Sequence, residues 1–203
     1  CPAIILPDSS LKTSAKRIVL GKFLNSGQSC VAPNHLWIHK DIYDDFVKEL
    51  VNAIKSFYKP DYLTTTDYNS IINLEHFNRL NSLIDENKVL YGGRSDRNSL
   101  RIEPTIVGEI FEGDKLLNEE IFGPILPVAK FSNTNDLVRT MQNKKAPLAL
   151  YVFGENRKEI SFIQNRLRFG GGCINDVVMH IANLKMPFGG IGASGNGRYH
   201  GEH

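Results

Sequence analysis

Residues 35–58 read HLWIHKDIYDDFVKELVNAIKSFY, a strand-length apolar run that passes directly into the clearest helical pattern of the chain. His35–His39 alternates as a strand does. Asp41–Tyr58 repeats large apolar side chains on one side. It also carries three aspartates in its first turn, where the helix dipole favours negative charge. The segment therefore predicts a strand followed by an amphipathic helix.

The same alternation continues on both sides of this segment. Further strands are predicted at Ala3–Leu6, Lys88–Tyr91, Thr105–Val107, Ile125–Phe131, Leu148–Phe153 and Gly172–Ile174. Further helical patterns cover 11–23 with a stop near Gly27, and then 70–86, 134–144 and 156–168. Alternating strands and helices favour an α/β fold, a mainly parallel, twisted sheet with helices on both faces. Neither a repeat nor a linker interrupts residues 1–203, so one domain is the simplest interpretation.

The composition is that of an ordinary globular protein and excludes several classes of partner. Of 203 residues, 41% are hydrophobic and 23% charged, and the net charge is only +2. No run of like charge predicts a nucleic-acid groove. No apolar stretch reaches the roughly 18 residues that a membrane span needs. We therefore expect neither nucleic acid nor a membrane segment.

The three cysteines, Cys1, Cys30 and Cys173, are widely spaced and form no C-x-x-C pair. This pattern argues against a disulfide scaffold and against a zinc site, and it favours a reducing compartment, so we expect a cytoplasmic protein without a metal. Cys1 and Cys173 are interpreted as structural. Cys30 differs because it lies between Gly27, which permits a sharp turn, and Pro33, which prevents a regular helix. A thiol on such a turn is a candidate nucleophile, although its free pKa near ~8.5 requires local activation.

Four ordered segments carry a family resemblance that spans residues 1–203. They are Asn25-Ser26-Gly27-Gln28-Ser29-Cys30-Val31-Ala32-Pro33, Asn118-Glu119-Glu120-Ile121-Phe122-Gly123-Pro124, Pro147-Leu148-Ala149-Leu150-Tyr151-Val152-Phe153 and Met186-Pro187-Phe188-Gly189-Gly190-Ile191-Gly192-Ala193-Ser194-Gly195. Together they resemble the catalytic domain of aldehyde dehydrogenases. The ending Gly197-Arg198-Tyr199-His200-Gly201 resembles the class-3 or fatty-aldehyde branch, which implies medium- to long-chain aliphatic or aromatic aldehydes.

The resemblance implies a role for three residues. Cys30 is expected to be the catalytic thiol, which adds to an aldehyde and passes through a thiohemiacetal and a thioester while NAD or NADP accepts a hydride. Glu120 is expected to bind the nicotinamide ribose, and Phe122 to pack beside it. Glu119, by contrast, is interpreted as a surface residue.

A G-x-G-x-x-G pattern at Gly190–Gly195 is not interpreted as a dinucleotide fingerprint. Such a fingerprint must follow a strand and open a helix, whereas Pro187 precedes this one and Gly197 follows it. The resemblance instead implies a loop near the substrate funnel. Asn175, Asp176 and His180 are interpreted as residues that close a strand near the same mouth.

Several family segments are not found in these 203 residues, among them an upstream E-L-G-G-K segment with the general-base glutamate. The resemblance therefore implies a truncated catalytic domain. It also implies an N-terminal cofactor-binding domain as partner, a further C-terminal tail, a homo-oligomer and a fragment that does not turn over alone. Two alternatives remain open. One is a non-catalytic interaction domain that retains the fold, and the other is a cysteine hydrolase in which His180 and Asn196 serve Cys30.

Overall fold

The computed structural model describes residues 1–58, 61–65 and 67–201. Its strands are β1 (Pro2–Ile5), β2 (His35–His39), β3 (Val89–Tyr91), β4 (Ser95–Asp96), β5 (Arg101–Ile102), β6 (Thr105–Val107), β7 (Ile125–Phe131), β8 (Ala149–Phe153) and β9 (Gly171–Ile174). Its α-helices are α1 (Leu11–Phe23), α2 (Tyr43–Phe57), α3 (Leu74–Asn81), α4 (Lys115–Asn118), α5 (Thr134–Gln142) and α6 (Arg157–Arg166). None of the helices in these ranges is long and apolar enough to cross a membrane.

Seven of the strands form one sheet in the order β3-β6-β7-β2-β1-β8-β9. Every neighbouring pair is parallel except β3 and β6, which pair in antiparallel fashion at one edge. At the centre, Ala3 pairs with Leu36 on one side and with Tyr151 on the other. The predicted mainly parallel sheet is therefore confirmed.

Alternate residues of the central strands enter two separate apolar cores, as the period of two in a strand requires. Ile5 and Ile38 belong to one core together with side chains of α1 and α2. Ile4 and Trp37 belong to the other, together with side chains of α3, α4, α5 and α6. Because both faces of the sheet are covered, the prediction of helices on both faces is also confirmed.

Helix α1 covers the predicted residues 11–23, and a 3₁₀ turn over Leu24–Gly27 leads to the predicted stop near Gly27. Other boundaries differ from the predicted ones. The pattern at 70–86 contains only α3, which begins where the Asn73 side chain accepts a hydrogen bond from the His76 N–H at 2.8 Å. The two-residue strands β4 and β5, which pair only with each other, were not predicted because so short a ladder leaves no apolar alternation.

Candidate active site

Cys30 lies on a left-handed stretch of backbone between α1 and β2. Asn25, Ser26 and Gly27 have successive φ angles of 52°, 54° and 73°, a conformation that only glycine adopts without strain. A Cβ atom on Gly27 would lie 2.3 Å from the Gly123 carbonyl oxygen, so the loop passes this backbone at a distance that only glycine allows. The chain reverses here and leaves Cys30 exposed.

A tight turn over residues 29–32 holds the cysteine itself. The Ala32 N–H donates to the Ser29 carbonyl at 3.2 Å. The Cys1 thiol donates to the Cys30 carbonyl at 3.1 Å. Within the described ranges, the Cys30 N–H donates to no protein group. In this turn the Ser29 and Cys30 carbonyls are therefore held by hydrogen bonds, and the Cys30 N–H remains as a donor next to the exposed Cys30 sulfur.

The segment Glu119–Phe122 is attached to the same end of the sheet by Asn34. The Asn34 side-chain amide donates to the Glu119 carbonyl at 3.0 Å, and its oxygen accepts from the Ile121 N–H at 2.9 Å. His76 Nε2–H donates to the Phe122 carbonyl at 2.8 Å. Phe122 itself has a φ of 51°, which a bulky residue adopts only when its surroundings impose it.

A cleft of about 690 Å³ runs between the two segments. Its walls include Cys30, Glu120, Lys144 and Ser194. The structure thus brings the predicted thiol and the predicted cofactor carboxylate into one cavity. The glycine-rich loop also reaches it, through Ser194. Glu119 lines it too, although it was interpreted only as a surface residue.

Phe122 lies apart from the lining of this cleft. Its ring is 37% exposed and packs beside His76, with the ring centroids 6.1 Å apart. Of the three predicted site residues, Cys30 and Glu120 therefore line the same cavity. Phe122 does not line it, and it follows Glu120 by two residues in the sequence.

The charge distribution below the cleft is unusual because a lysine is fully buried there. The Lys22 side chain lies in the last turn of α1 and is 1% exposed. Burial lowers the pKa of Lys22 to about 7, and the Glu120 carboxylate partly opposes that change. Burial also holds the pKa of His35, on the cleft wall, well below its usual value. At neutral pH the imidazole is therefore uncharged.

The second internal thiol, that of Cys173, lies beside the imidazole of His180. Cys173 Sγ lies 3.7 Å from His180 Nδ1, and the thiol donates to this nitrogen in the neutral tautomer that carries its proton on Nε2. Burial raises the pKa of Cys173 and lowers the pKa of His180, so the neutral pair is favoured over a thiolate–imidazolium pair. His180 was the candidate base of the cysteine-hydrolase alternative, but its contact is with Cys173. The geometry thus gives that alternative no support.

Three residues around the site were missed from the sequence. Asn34 and Tyr151 bond to its loops, and Lys22 is a buried amine whose pKa responds to Glu120. Lys22 continues the helical spacing of Ala15, Ile18 and Val19, so a lysine on the buried face of α1 was a detectable signal. Asn34 and Tyr151 lie inside or next to the quoted segments, but nothing in a linear pattern shows where their side chains bond.

Comparisons with known proteins agree with this arrangement. The model of the aldehyde dehydrogenase family matches residues 1–203. The 4,4'-diaponeurosporen-aldehyde dehydrogenase of Staphylococcus aureus is 40% identical over 204 residues, which cover 100% of this chain and 44% of that protein. Aldehyde dehydrogenase family 3 member A2 of Rattus norvegicus is 38% identical over 202 residues, which cover 100% of this chain and 42% of that protein. The dimeric NADP-preferring aldehyde dehydrogenase of the same organism is 39% identical over 201 residues, which cover 99% of this chain and 44% of that protein.

Solved structures agree as well. A substrate-bound structure of the Staphylococcus aureus enzyme AldH superposes with a TM-score of 0.96 at 39% identity, over 99% of this chain and 44% of that one. The chain thus spans less than half the length of the relatives that it matches. Because the family model covers all of its residues and the fold agrees with that of a solved aldehyde dehydrogenase, the chain belongs to the aldehyde dehydrogenase family.

Proposed function

We propose that Cys30 is the nucleophile of an NAD(P)-dependent aldehyde dehydrogenase, of which this chain supplies the thiol side of the active site. The observation that carries the proposal is the shared cleft. An exposed thiol on a constrained turn and the carboxylate of Glu120 line one cavity, in a chain of the aldehyde dehydrogenase family. An exposed cysteine on a turn is accessible to a carbonyl compound, whereas a buried structural cysteine is not.

The chemistry follows from the two groups at the turn. The Cys30 thiolate forms a bond to the aldehyde carbon, and the carbonyl electron pair moves to oxygen, giving a thiohemiacetal oxyanion. The Cys30 N–H, which donates to no protein group within the described ranges, would donate a hydrogen bond to that oxygen. Loss of a hydride from the carbon re-forms the carbonyl as a thioester on Cys30. Water then attacks the acyl carbon and the carbon–sulfur bond breaks, which releases the carboxylic acid and the Cys30 thiol. Loss of the thiol proton to solvent restores the thiolate.

NAD or NADP, when bound, supplies the hydride acceptor. Glu120 has an exposed carboxylate on the cleft wall, which suits hydrogen bonds from ribose hydroxyls. Phe122 has an exposed ring close by in the chain, which suits packing against a sugar. The residues present therefore fit a nicotinamide ribose. We assign Glu120 and Phe122 to the cofactor on this basis.

The finer properties of the parent protein are part of the same proposal. The relatives named as family 3 member A2 and as a dimeric NADP-preferring enzyme support a class-3 type and a homo-oligomer. Fatty or aromatic aldehydes as substrates are proposed from the resemblance of the ending Gly197–Gly201 to that branch. An N-terminal cofactor-binding domain would complete the site, and the cytoplasm would be its location. The 203-residue chain would be a truncated catalytic domain without turnover of its own.

Substitution of the two internal cysteines in the full-length protein tests the assignment. We expect Cys30→Ala to lower kcat for aldehyde-dependent NAD(P)H formation by at least ~10³-fold, because a covalent nucleophile has no substitute. Cys173→Ala is the matched control and should retain activity within a few-fold. Equal activity of Cys30→Ala and wild type, or a larger loss in Cys173→Ala, would overturn the proposal.

A further inference from the structure

The carbonyl that follows Cys30 is held by a buried tyrosine from the middle of the sheet. In the turn over residues 29–32, the Ser29 carbonyl accepts the turn's own hydrogen bond, whereas the Val31 carbonyl accepts none from the backbone of the turn. The Tyr151 hydroxyl donates to it at 2.7 Å. Tyr151 is 0% exposed and lies in β8, paired with Ala3 and Cys173. A fully buried strand of the sheet thus contacts the peptide next to the thiol.

The Tyr151 side chain also lies near a second constrained segment. The Val178 backbone is close enough to the phenol to act on its pKa, which it lowers. Val178 has a φ of 65°, a strained conformation for a β-branched residue that persists only when its neighbours enforce it. Burial has the larger effect and raises the pKa of Tyr151, so the group remains a neutral hydrogen-bond donor at physiological pH. The hydroxyl that bonds to the cysteine turn therefore also lies near the turn after β9.

We propose that Tyr151 is a positioning residue for Cys30, one that fixes the orientation of the turn and with it the Cys30 N–H. The inference rests on the proposed role of Cys30 as nucleophile. Stabilisation of an oxyanion depends on donors that are oriented before the reaction, and a displacement of about 1 Å can lower a rate by up to ~10²-fold. Without the hydroxyl, the buried Val31 carbonyl loses its partner and the turn loses its hydrogen bond to β8.

Tyr151→Phe in the full-length protein tests the proposal, since it removes only the hydroxyl. Tyr43→Phe is the matched control. Tyr43 is also a buried tyrosine whose hydroxyl donates to a backbone carbonyl of the sheet, that of Val128 at 3.4 Å. It lies after β2, whereas Cys30 lies before that strand. Two measurements are made on each variant: kcat and KM for an aldehyde such as octanal, and hydrogen exchange of a peptide containing residues 29–34.

We expect Tyr151→Phe to lower kcat by about 10- to 100-fold with little change in KM, and to speed exchange in this peptide. Tyr43→Phe should change neither. A kcat within two-fold of wild type, or exchange equal to that of the control, would overturn the role of Tyr151. If wild type oxidises no aldehyde, the proposed function fails. The exchange rates alone then decide whether Tyr151 holds the turn.

Discussion

At the scale of the residue, two groups near the site stand out, a left-handed glycine and a buried lysine. Gly27 combines a positive φ with close contact to the Gly123 carbonyl, a setting that glycine accepts and other residues do not. Lys22 is buried, and within the described ranges no carboxylate lies within 4.0 Å of its ammonium group. Desolvation of a charged group reduces stability, and such groups are concentrated at functional sites.

For Gly27 we expect the substitution Gly27→Ala to lower the free energy of unfolding by at least ~2 kcal/mol, because the new Cβ would meet the Gly123 carbonyl oxygen at 2.3 Å and φ is unfavourable. Urea denaturation measures this change. Gly113→Ala is the control, since Gly113 also has a positive φ but nothing within 4 Å of the added Cβ. Equal losses in the two variants would show that the close approach is unimportant.

For Lys22 we expect stability to depend on pH in a definite direction. The folded pKa of about 7 lies below the ordinary 10.5, so the unfolded chain binds more protons at Lys22 between these values. Stability should therefore rise as the pH rises from 7 towards 10.5. Lys22→Met should remove this rise and, at pH 6, stabilise the protein by up to roughly 4 kcal/mol.

Urea denaturation at several pH values checks the expectation for Lys22. Lys16→Met, an exposed position on the same helix, is the control and should leave the pH dependence as it is in wild type. A pH profile of Lys22→Met that matches that of wild type would show that the amine is not desolvated.

At the scale of the element, the site depends on how two loops meet at one end of the sheet. The loop before β2 carries Cys30, and the loop before β7 carries Glu120. These strands are neighbours in the sheet but nearly ninety residues apart in sequence, and Asn34 joins their loops by two hydrogen bonds. The spacing of Cys30 and Glu120 therefore follows from the strand order and from this one side chain.

We expect Asn34→Ala in the full-length protein to raise KM for NAD(P)+ several-fold, because the backbone around Glu120 loses both of its bonds to Asn34. Steady-state kinetics with varied cofactor measure it. Asn133→Ala is the matched control, since Asn133 also bonds two backbone amides, but at the start of α5. It should lower stability without changing this KM, and a similar KM in both variants would contradict the role of Asn34.

The elements themselves were predictable to different degrees. Thr105–Val107 and Ile125–Phe131 coincide with β6 and β7 because buried parallel strands are short, continuous apolar runs. The left-handed backbone at Asn25 and Ser26 was not predictable, because neither residue type requires it and tertiary contacts impose it. The same is true of Tyr151. A tyrosine in a buried strand indicates core packing, and its bond to Val31 arises only from the folded sheet.

At the scale of the whole molecule, the sheet separates two apolar cores, and different helices contribute to each of them. Helices α1 and α2 cover one face, and α3 to α6 contribute to the other. The resemblance at the sequence level led to the family, and the periodicity led to the layers, but the strand order follows from neither. Strand β3 illustrates this, since a short run at 88–91 contains nothing to show that it pairs antiparallel at the edge.

We expect the core between the sheet and α2 to contribute strongly to stability. Phe46 is 0% exposed in that core, and Phe46→Ala should lower the free energy of unfolding by about 3–5 kcal/mol. Phe57, at the end of the same helix, is 46% exposed, and Phe57→Ala should cost less than about 1.5 kcal/mol. Similar losses in the two variants, measured by thermal or urea denaturation, would contradict the assigned layer.

The assignment of Cys30 is tested most directly by locating the acyl group during turnover. The full-length protein is mixed with an aldehyde and NAD(P)+, quenched in acid and digested, and the cysteine-containing peptides are weighed by mass spectrometry. The expected result is an acyl thioester on the peptide with Cys30, and none on Cys1 or Cys173. Acylation of another cysteine, or continued turnover with Cys30 unmodified at every time point, would contradict the account.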